Sequence, residues 1–599
     1  MSGPPRTIPA VREFRPADGR GWRPTKDARV VVPAGERSPI ADEARLLARD
    51  LGGLRTVWGG EPVRPGDVEL RLAGGADDRG GDADGRRAPG AGEGDGRGTG
   101  APADSGEVVS SDAGNRSDEV DRSDGADRLD EENRPDKADR LDQADRLDQE
   151  NRPDEKGRAD EKGRTDESAS RDAARAPGPG DGADGPRQAS APSGPDAGDT
   201  AHERYTLTAR DTRLTLTAPT DTGLFNGTRT IVQSVRASGG VPEGTIEDRP
   251  DRAQRGLSLD IARKHFDAGW IEDRIRDLAG LKMNQLQLHF SDDQGFRIES
   301  ERHPEIVSRD HLTKDQVRHL VQLGQSLHVE VIPELDSPGH LGAALRAHPD
   351  LELKDVRGRT ARGALDISRP GAARLVDDLL REFAPLFPSG HWHLGGDEYR
   401  ALMASSPSAS YPQLAKAARE KYGSGATIQD LATGWLNDRG RTLKDAGARA
   451  IEAWNDGYFR GGKVAPDAER TVAYWTGKEI GARRPAEYLK AGHRMVNLND
   501  EYLYYVLGEP NEFRYPTGER IYRSWTPAVL RGTTAVSGTG PDRVLGARFA
   551  VWGDRAGAQT AQQVAQGIRM PLRALAQKTW DPRRPGLSWQ EFRKLADRV

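Results

Sequence analysis

The chain has 599 residues, 34% hydrophobic and 31% charged, with a formal net charge of −6. That balance gives no electrostatic footing for nucleic acid or an anionic membrane surface as a partner. The lack of cysteine removes disulfides, thiolate metal sites and a cysteine nucleophile together.

The first residues, Met1-Ser2-Gly3-Pro4-Pro5, contain no apolar signal core, and no stretch reaches membrane-spanning length. As written the sequence reads as soluble and cytoplasmic, or as secreted if translation starts elsewhere. Residues 1–27 form an N-terminal segment. Folded patterning follows, with a strand at 28–32, an amphipathic helix at 40–51 and an alternating strand at 68–72. Over residues 75–202 large apolar residues almost vanish among Gly, Asp, Arg, Glu and Pro. There Ala138-Asp139-Arg140-Leu141-Asp142-Gln143 is followed directly by Ala144-Asp145-Arg146-Leu147-Asp148-Gln149. Such a segment cannot bury enough apolar area to offset the entropy of ordering it, which predicts a disordered insertion in a surface loop. Strands resume at 205–208 and 214–217, and Gly223-Leu224-Phe225-Asn226-Gly227 leads into a short helix at 228–235. Residues 28–74 and 203–249 then make a small α+β domain whose strands share one sheet across the insertion. Loop-closure entropy rises slowly enough with length to tolerate it.

From residue 250 to 599 short apolar strands alternate with longer helices. Strands are predicted at 256–261, 284–290, 329–333, 391–394, 449–454, 471–475, 494–498 and 547–552, with helices at 314–327, 372–383, 428–445 and 485–491 among them. Eight strands in this rhythm predict a (β/α)8 TIM barrel, with a doubly wound open sheet as the competing arrangement. The barrel is favoured by where the unusual polar residues fall, because barrel enzymes carry their chemistry at the carboxyl ends of strands. The second strand runs into Leu288-His289-Phe290-Ser291-Asp292-Asp293-Gln294-Gly295, the third into Glu334-Leu335-Asp336-Ser337-Pro338-Gly339-His340, and the fourth into His393-Leu394-Gly395-Gly396-Asp397-Glu398. Trp454, Trp475 and Trp552 close three later strands. One acidic pair alone would read as a solvated loop. Three acid-and-histidine clusters with three tryptophans at the same strand ends point to sugar hydrolysis, in which carboxylates move protons and flat rings stack on pyranose faces. No His-x-x-x-His or carboxylate cluster has metal-ligand spacing on one helix, and no phosphate-binding Gly-rich loop is present, so neither metal nor cofactor is expected.

Arg255-Gly256-Leu257-Ser258-Leu259-Asp260, the Asp292-Asp293-Gln294-Gly295 turn, the Pro333–His340 stretch and His393-Leu394-Gly395-Gly396-Asp397-Glu398 together resemble successive signatures of glycoside hydrolase family 20. The resemblance runs over about 250–575, and the stretch 223–233 resembles the end of that family's small amino-terminal domain. It implies substrate-assisted removal of a terminal β-linked N-acetylhexosamine, with the substrate's 2-acetamido oxygen as nucleophile. Glu398 would be the general acid and base, with a proton affinity raised toward working pH. Asp397 would steer the acetamide N–H, and Tyr502 would hold the acetamide oxygen. The resemblance further implies substrate contacts from Arg255, Asp292, His340, Trp454, Trp475, Tyr504, Trp552 and Asp554. Alignment by the preceding strand favours Tyr502 over Tyr504 for the acetamide, and a slip of two residues would exchange them. His289 sits in a matched motif, and His393 reads equally as a satisfied core residue.

Two positions depart from the usual hexosaminidase pattern. Tyr504 stands where Asp or Asn is common, and Asp554 where Glu usually follows the last tryptophan. Both resemble the lacto-N-biosidase branch, whose members release the disaccharide galactosyl-N-acetylglucosamine. A third reading is a non-catalytic glycan-binding barrel, disfavoured by the intact Asp397-Glu398 pair. An oligosaccharide or glycoconjugate is the expected partner in every case.

Overall fold

The computed structural model describes residues 3–73, 198–459, 461–477 and 483–599. The first strands are β1 (Glu13–Pro16), β2 (Arg29–Val32), β3 (Arg55–Trp58) and β4 (Val68–Leu72), followed by β5 (Tyr205–Arg210), β6 (Arg213–Ala218) and β7 (Gly244–Asp248). They form one sheet in the order β1-β7-β5-β6-β4-β2-β3. Strands from both sides of the expected insertion therefore do share a sheet, with β6 lying between β4 and β5. Of the insertion expected at 75–202, residues up to 197 lie outside the described residues; beyond them Ala201–Glu203 makes a 3-10 helix.

Two helices, Ala41–Asp50 and Asp221–Ser238, press Leu47, Leu224 and Ile231 onto Val30, Leu70, Leu207 and Leu216 of the sheet. The second helix starts seven residues earlier than its patterning predicts. Gly223 and Gly227 read as loop residues but serve close packing. A Cβ on Gly227 would come within 2.3 Å of the Leu216 side chain. Residues 3–27, expected as a separate segment, are built into this domain. β1 pairs antiparallel with β7, Trp22 is fully buried, and the Ile8 N–H donates to Gln233 at 2.6 Å.

The remainder continues as β8 (Gln254–Asp260), β9 (Gln285–His289), β10 (Glu330–Glu334), the hairpin β11 (Glu352–Lys354) and β12 (Thr360–Leu365), β13 (His391–His393), β14 (Ala450–Trp454), β15 (Thr471–Tyr474), β16 (Met495–Asn497), β17 (Tyr504–Val506) and β18 (Val544–Trp552). The order β8-β9-β10-β13-β14-β15-β16-β18 is parallel throughout and closes where β18 pairs with both β16 and β8. This is a (β/α)8 barrel, and each of its eight strands overlaps a predicted one. β17 adds alongside the carboxyl half of β18.

The barrel interior is unusually polar. Arg548, fully buried, pairs with Glu452 at 2.6 Å and donates to Gln285 and Gln287. His391 lies 2.9 Å from both Glu330 and Glu452. Burial opposes its charge, but those two carboxylates win and hold the imidazolium up to about 9. Among the described residues, no helix is long and apolar enough to cross a membrane.

Candidate active site

The loop after β13 is shaped by Asp336, which follows β10. Its Oδ1 accepts the Gly396 N–H at 2.8 Å, and Gly395 passes so close that a Cβ there would meet the same carboxylate at 1.8 Å. Gly395 also holds a φ of +67°, so only glycine fits the position. The loop then presents Asp397 and Glu398, both half-buried, in a turn where Glu398 itself is left-handed with φ +45°. Burial and the nearby charge of Asp397 push the Asp336 carboxyl well above its ordinary range.

A chain of charges leads to Glu398. Asp260, at the end of β8, accepts the backbone N–H of Ala262 and Arg263 and pairs with the Arg263 guanidinium at 3.1 Å. Arg263 also reaches Asp292 at 2.8 Å. Asp292 contacts His289 at 2.8 Å and His340 at 3.3 Å, and His340 Nε2 lies 3.5 Å from Glu398 and 3.6 Å from Asp397. Burial works against the His340 charge, yet Asp292 and Asp397 keep the imidazolium well above its usual value. Glu334 anchors the floor between His289 (3.1 Å) and His393 (3.3 Å) and accepts Trp454 Nε1 at 2.7 Å.

Glu398 departs from expectation. Burial alone would raise it, but the hydrogen bond and charge of His340, aided by Arg263, bring it below the ordinary carboxylate value. It borders a small pocket lined by Glu398, Tyr399, Leu402, Met403, Asp456 and Phe459.

Aromatic rings gather beside these carboxylates, Trp475 Nε1 donating to Asp456 at 3.2 Å. Trp475 and Tyr504 are parallel, with centroids 5.7 Å apart and planes 3° apart. Trp552 is 5.7 Å from Tyr504, 5.8 Å from Trp454 and 5.3 Å from His289. Arg263 lies 5.5 Å over the Trp552 ring. Burial and then the charge of Asp397 raise the Tyr504 phenol well above 10. Asp554 sits at the rim, open to solvent on one side. Its carboxyl is raised by its dense surroundings and by Asp260 and Asp292, against Arg263.

Two expected site residues lie elsewhere. Tyr502 belongs to the short helix Asp500–Leu503 and packs in the core with Arg520 4.1 Å over its ring, whereas Tyr504 packs with Trp454 and Trp552 within reach of the Asp397 charge. Arg255 stands near the amino end of β8, at the opposite mouth of the barrel. There it makes a fully buried fork with Glu203 at 2.9 and 2.5 Å and donates Nε to Lys282 O. A residue that opens a barrel strand cannot reach chemistry at its carboxyl end, and this rule alone excludes Arg255. Arg263, three residues past that end, is the arginine brought to the site. Asp336, Glu334 and Asp456 were also missed, although the first two lie inside a quoted motif. Among the described residues, His289/Glu334/Asp336, Asp336/His340/Asp397 and the peripheral His303/Glu305/His348 each bring donor atoms within 4.8 Å of one another. In all three groups the imidazoles already pair with carboxylates.

Residues 253–583 match the family model for the glycosyl hydrolase family 20 catalytic domain, and 130–249 match that family's domain 2. The chain is 28% identical over 399 residues to a lacto-N-biosidase of Bifidobacterium bifidum, an alignment covering 66% of this chain and 34% of the relative. It is 28% identical over 309 residues to a β-hexosaminidase of Porphyromonas gingivalis, covering 47% of this chain and 38% of the relative. Across these and similar curated relatives it spans between 34% and 48% of their length. In fold it is similar to a mutant Streptomyces plicatus β-hexosaminidase in complex with GlcNAc, with a TM-score of 0.62 at 19% identity, covering 100% of this chain and 94% of that one. The catalytic-domain match alone takes in more than half of the chain, which belongs to glycosyl hydrolase family 20.

Proposed function

We propose that the protein is an exo-acting, retaining β-N-acetylhexosaminidase working by substrate assistance. The observation that carries this reading is the division of labour between adjacent acids. Both acids lie near His340 Nε2, but Asp397 also acts on the buried Asp336 carboxyl and the Tyr504 phenol, whereas Glu398 is tied by its backbone N–H to Asp456 and lines the pocket.

The sugar stacks within Trp454, Trp475 and Trp552. Its acetamide lies between Asp397, which accepts the N–H, and the Tyr504 hydroxyl, which donates to the carbonyl oxygen. That oxygen attacks the anomeric carbon while Glu398 gives its proton to the departing glycosidic oxygen, leaving a cyclic oxazolinium ion. Water then attacks the same carbon, Glu398 takes a water proton, and the carbon–acetamide bond breaks. Two inversions give net retention. Arg263 and Asp554, at the rim, bind outer hydroxyls, and Asp292 holds His340 against Glu398. No metal or cofactor takes part in this scheme.

A second reading is lacto-N-biosidase activity. It is favoured by Asp554, about one methylene shorter than the usual glutamate at the sugar's outer edge, and by the match of 66% of the chain to a lacto-N-biosidase. Product analysis on chitobiose and lacto-N-tetraose side by side separates the two. Monosaccharide from chitobiose is the expected result. Disaccharide from the tetraose with none from chitobiose would replace the first reading by the second, and binding without turnover of either would defeat both.

A further inference from the structure

Glu398 keeps a left-handed backbone that a non-glycine residue adopts only where its surroundings over-determine it. The group that holds it is Asp456. The Glu398 N–H donates to Asp456 Oδ2 at 2.9 Å, and Trp475 Nε1 donates to the other oxygen, Oδ1, at 3.2 Å. Asp456 is buried in the 3-10 turn Asn455–Gly457 that follows β14. That turn is locked in its own right. Asn455 Oδ1 accepts the Trp475 N–H at 2.9 Å, Asn455 Nδ2 donates to Thr476 O at 2.9 Å, and the Tyr488 hydroxyl donates to Asn455 O at 2.8 Å. The turn also sits directly on the loop after β13, where a Cβ on Gly457 would come 3.2 Å from Gly396 O.

We infer that Asp456 is a positioning residue: it fixes the backbone turn that aims Glu398 and ties that aim to the Trp475 wall holding the sugar. The inference rests on Glu398 acting as general acid. Burial and the charge of Asp397 both disfavour the ionised form of Asp456, while its bonds from the Glu398 N–H and Trp475 favour it, so its two acceptor atoms are committed to the acid's turn and the tryptophan.

Positioning of a general acid has a signature that loss of structure lacks. It matters in proportion to how badly the leaving group needs a proton. Asp456→Ala removes both acceptors. Asp456→Asn keeps one and turns an amide N–H₂ toward the other donor. With phenyl N-acetyl-β-glucosaminide, kcat/KM should fall about 10- to 100-fold in the alanine variant and less in the asparagine variant. These losses are a part of the 10²–10⁴ that general acid catalysis supplies. With the dinitrophenyl glycoside, whose leaving group departs unprotonated, both variants should keep kcat/KM, which reports the first step alone, within about threefold of wild type. A melting temperature for Asp456→Asn close to wild type completes the expected result, and this variant decides the matter if the alanine protein does not fold. Equal losses on both glycosides, or none on either, would overturn the positioning role while leaving the reaction assigned. Wild-type protein inactive on both glycosides would remove the reaction and the inference with it.

Discussion

His340 has three carboxylates within ion-pair distance, Asp292 at 3.3 Å, Glu398 at 3.5 Å and Asp397 at 3.6 Å. Its imidazolium explains why Glu398 lies below the ordinary carboxylate value although burial pushes the other way. An acid with lowered proton affinity is protonated only at lower pH, so the basic limb of kcat/KM for substrates needing a proton should fall early. Removing the imidazolium leaves burial to dominate, which raises Glu398 and moves that limb to higher pH. His340→Gln should therefore lower the rate yet shift the basic limb upward in a pH–rate profile. A limb that stays in place would show that His340 does not govern the acid. The motif put His340 near the catalytic acid as an electrostatic support, but the direction in which it moves Glu398 was not legible in the sequence. His340 and Glu398 could each be placed in a motif, but the sign of the shift depends on distances between residues 58 positions apart.

At the scale of elements, the eight barrel strands were readable because each is a short apolar run bounded by turn residues and separated by a helix-length interval. The edge strand β1 was not. Its four residues are mostly exposed and carry no alternation. The choice between Tyr502 and Tyr504 turned on a similar detail. The chain leaves β16 and forms the four-residue helix Asp500–Leu503, capped by the Asn499 side chain, before β17 begins. That turn sends Tyr502 outward beneath Arg520 and brings Tyr504 in against Trp475. Four residues are too few for periodicity to reveal. Tyr504→Phe should cost about 10²-fold in kcat, the scale of one donor to a developing charge. Tyr502→Phe should stay within about threefold. The reverse ranking would restore Tyr502 to the acetamide.

At the scale of the molecule, the sheet domain and the barrel are joined by buried charge. The Arg255–Glu203 fork is one link, and Lys282 is another, donating to Tyr205 and Thr230 and lying 3.5 Å from Asp248. Burial, opposed by Asp248, lowers the Lys282 amine to about 8. Breaking a buried pair of this kind typically costs about 3–5 kcal/mol, because the remaining charge stays desolvated. The arginine that opens the first family signature thus serves the seam between domains. A motif shows that a residue matters, and only its place along the strand shows for what. The reading of function rests instead on Asp397 and Glu398 at the other mouth of the barrel. Its central claim is tested most directly by nitrophenol release from nitrophenyl N-acetyl-β-glucosaminide by wild type and Glu398→Gln. Rapid release by wild type and a loss of at least about 10²-fold in the variant are predicted for a phenol that needs acid assistance. Undiminished release by Glu398→Gln would contradict the account.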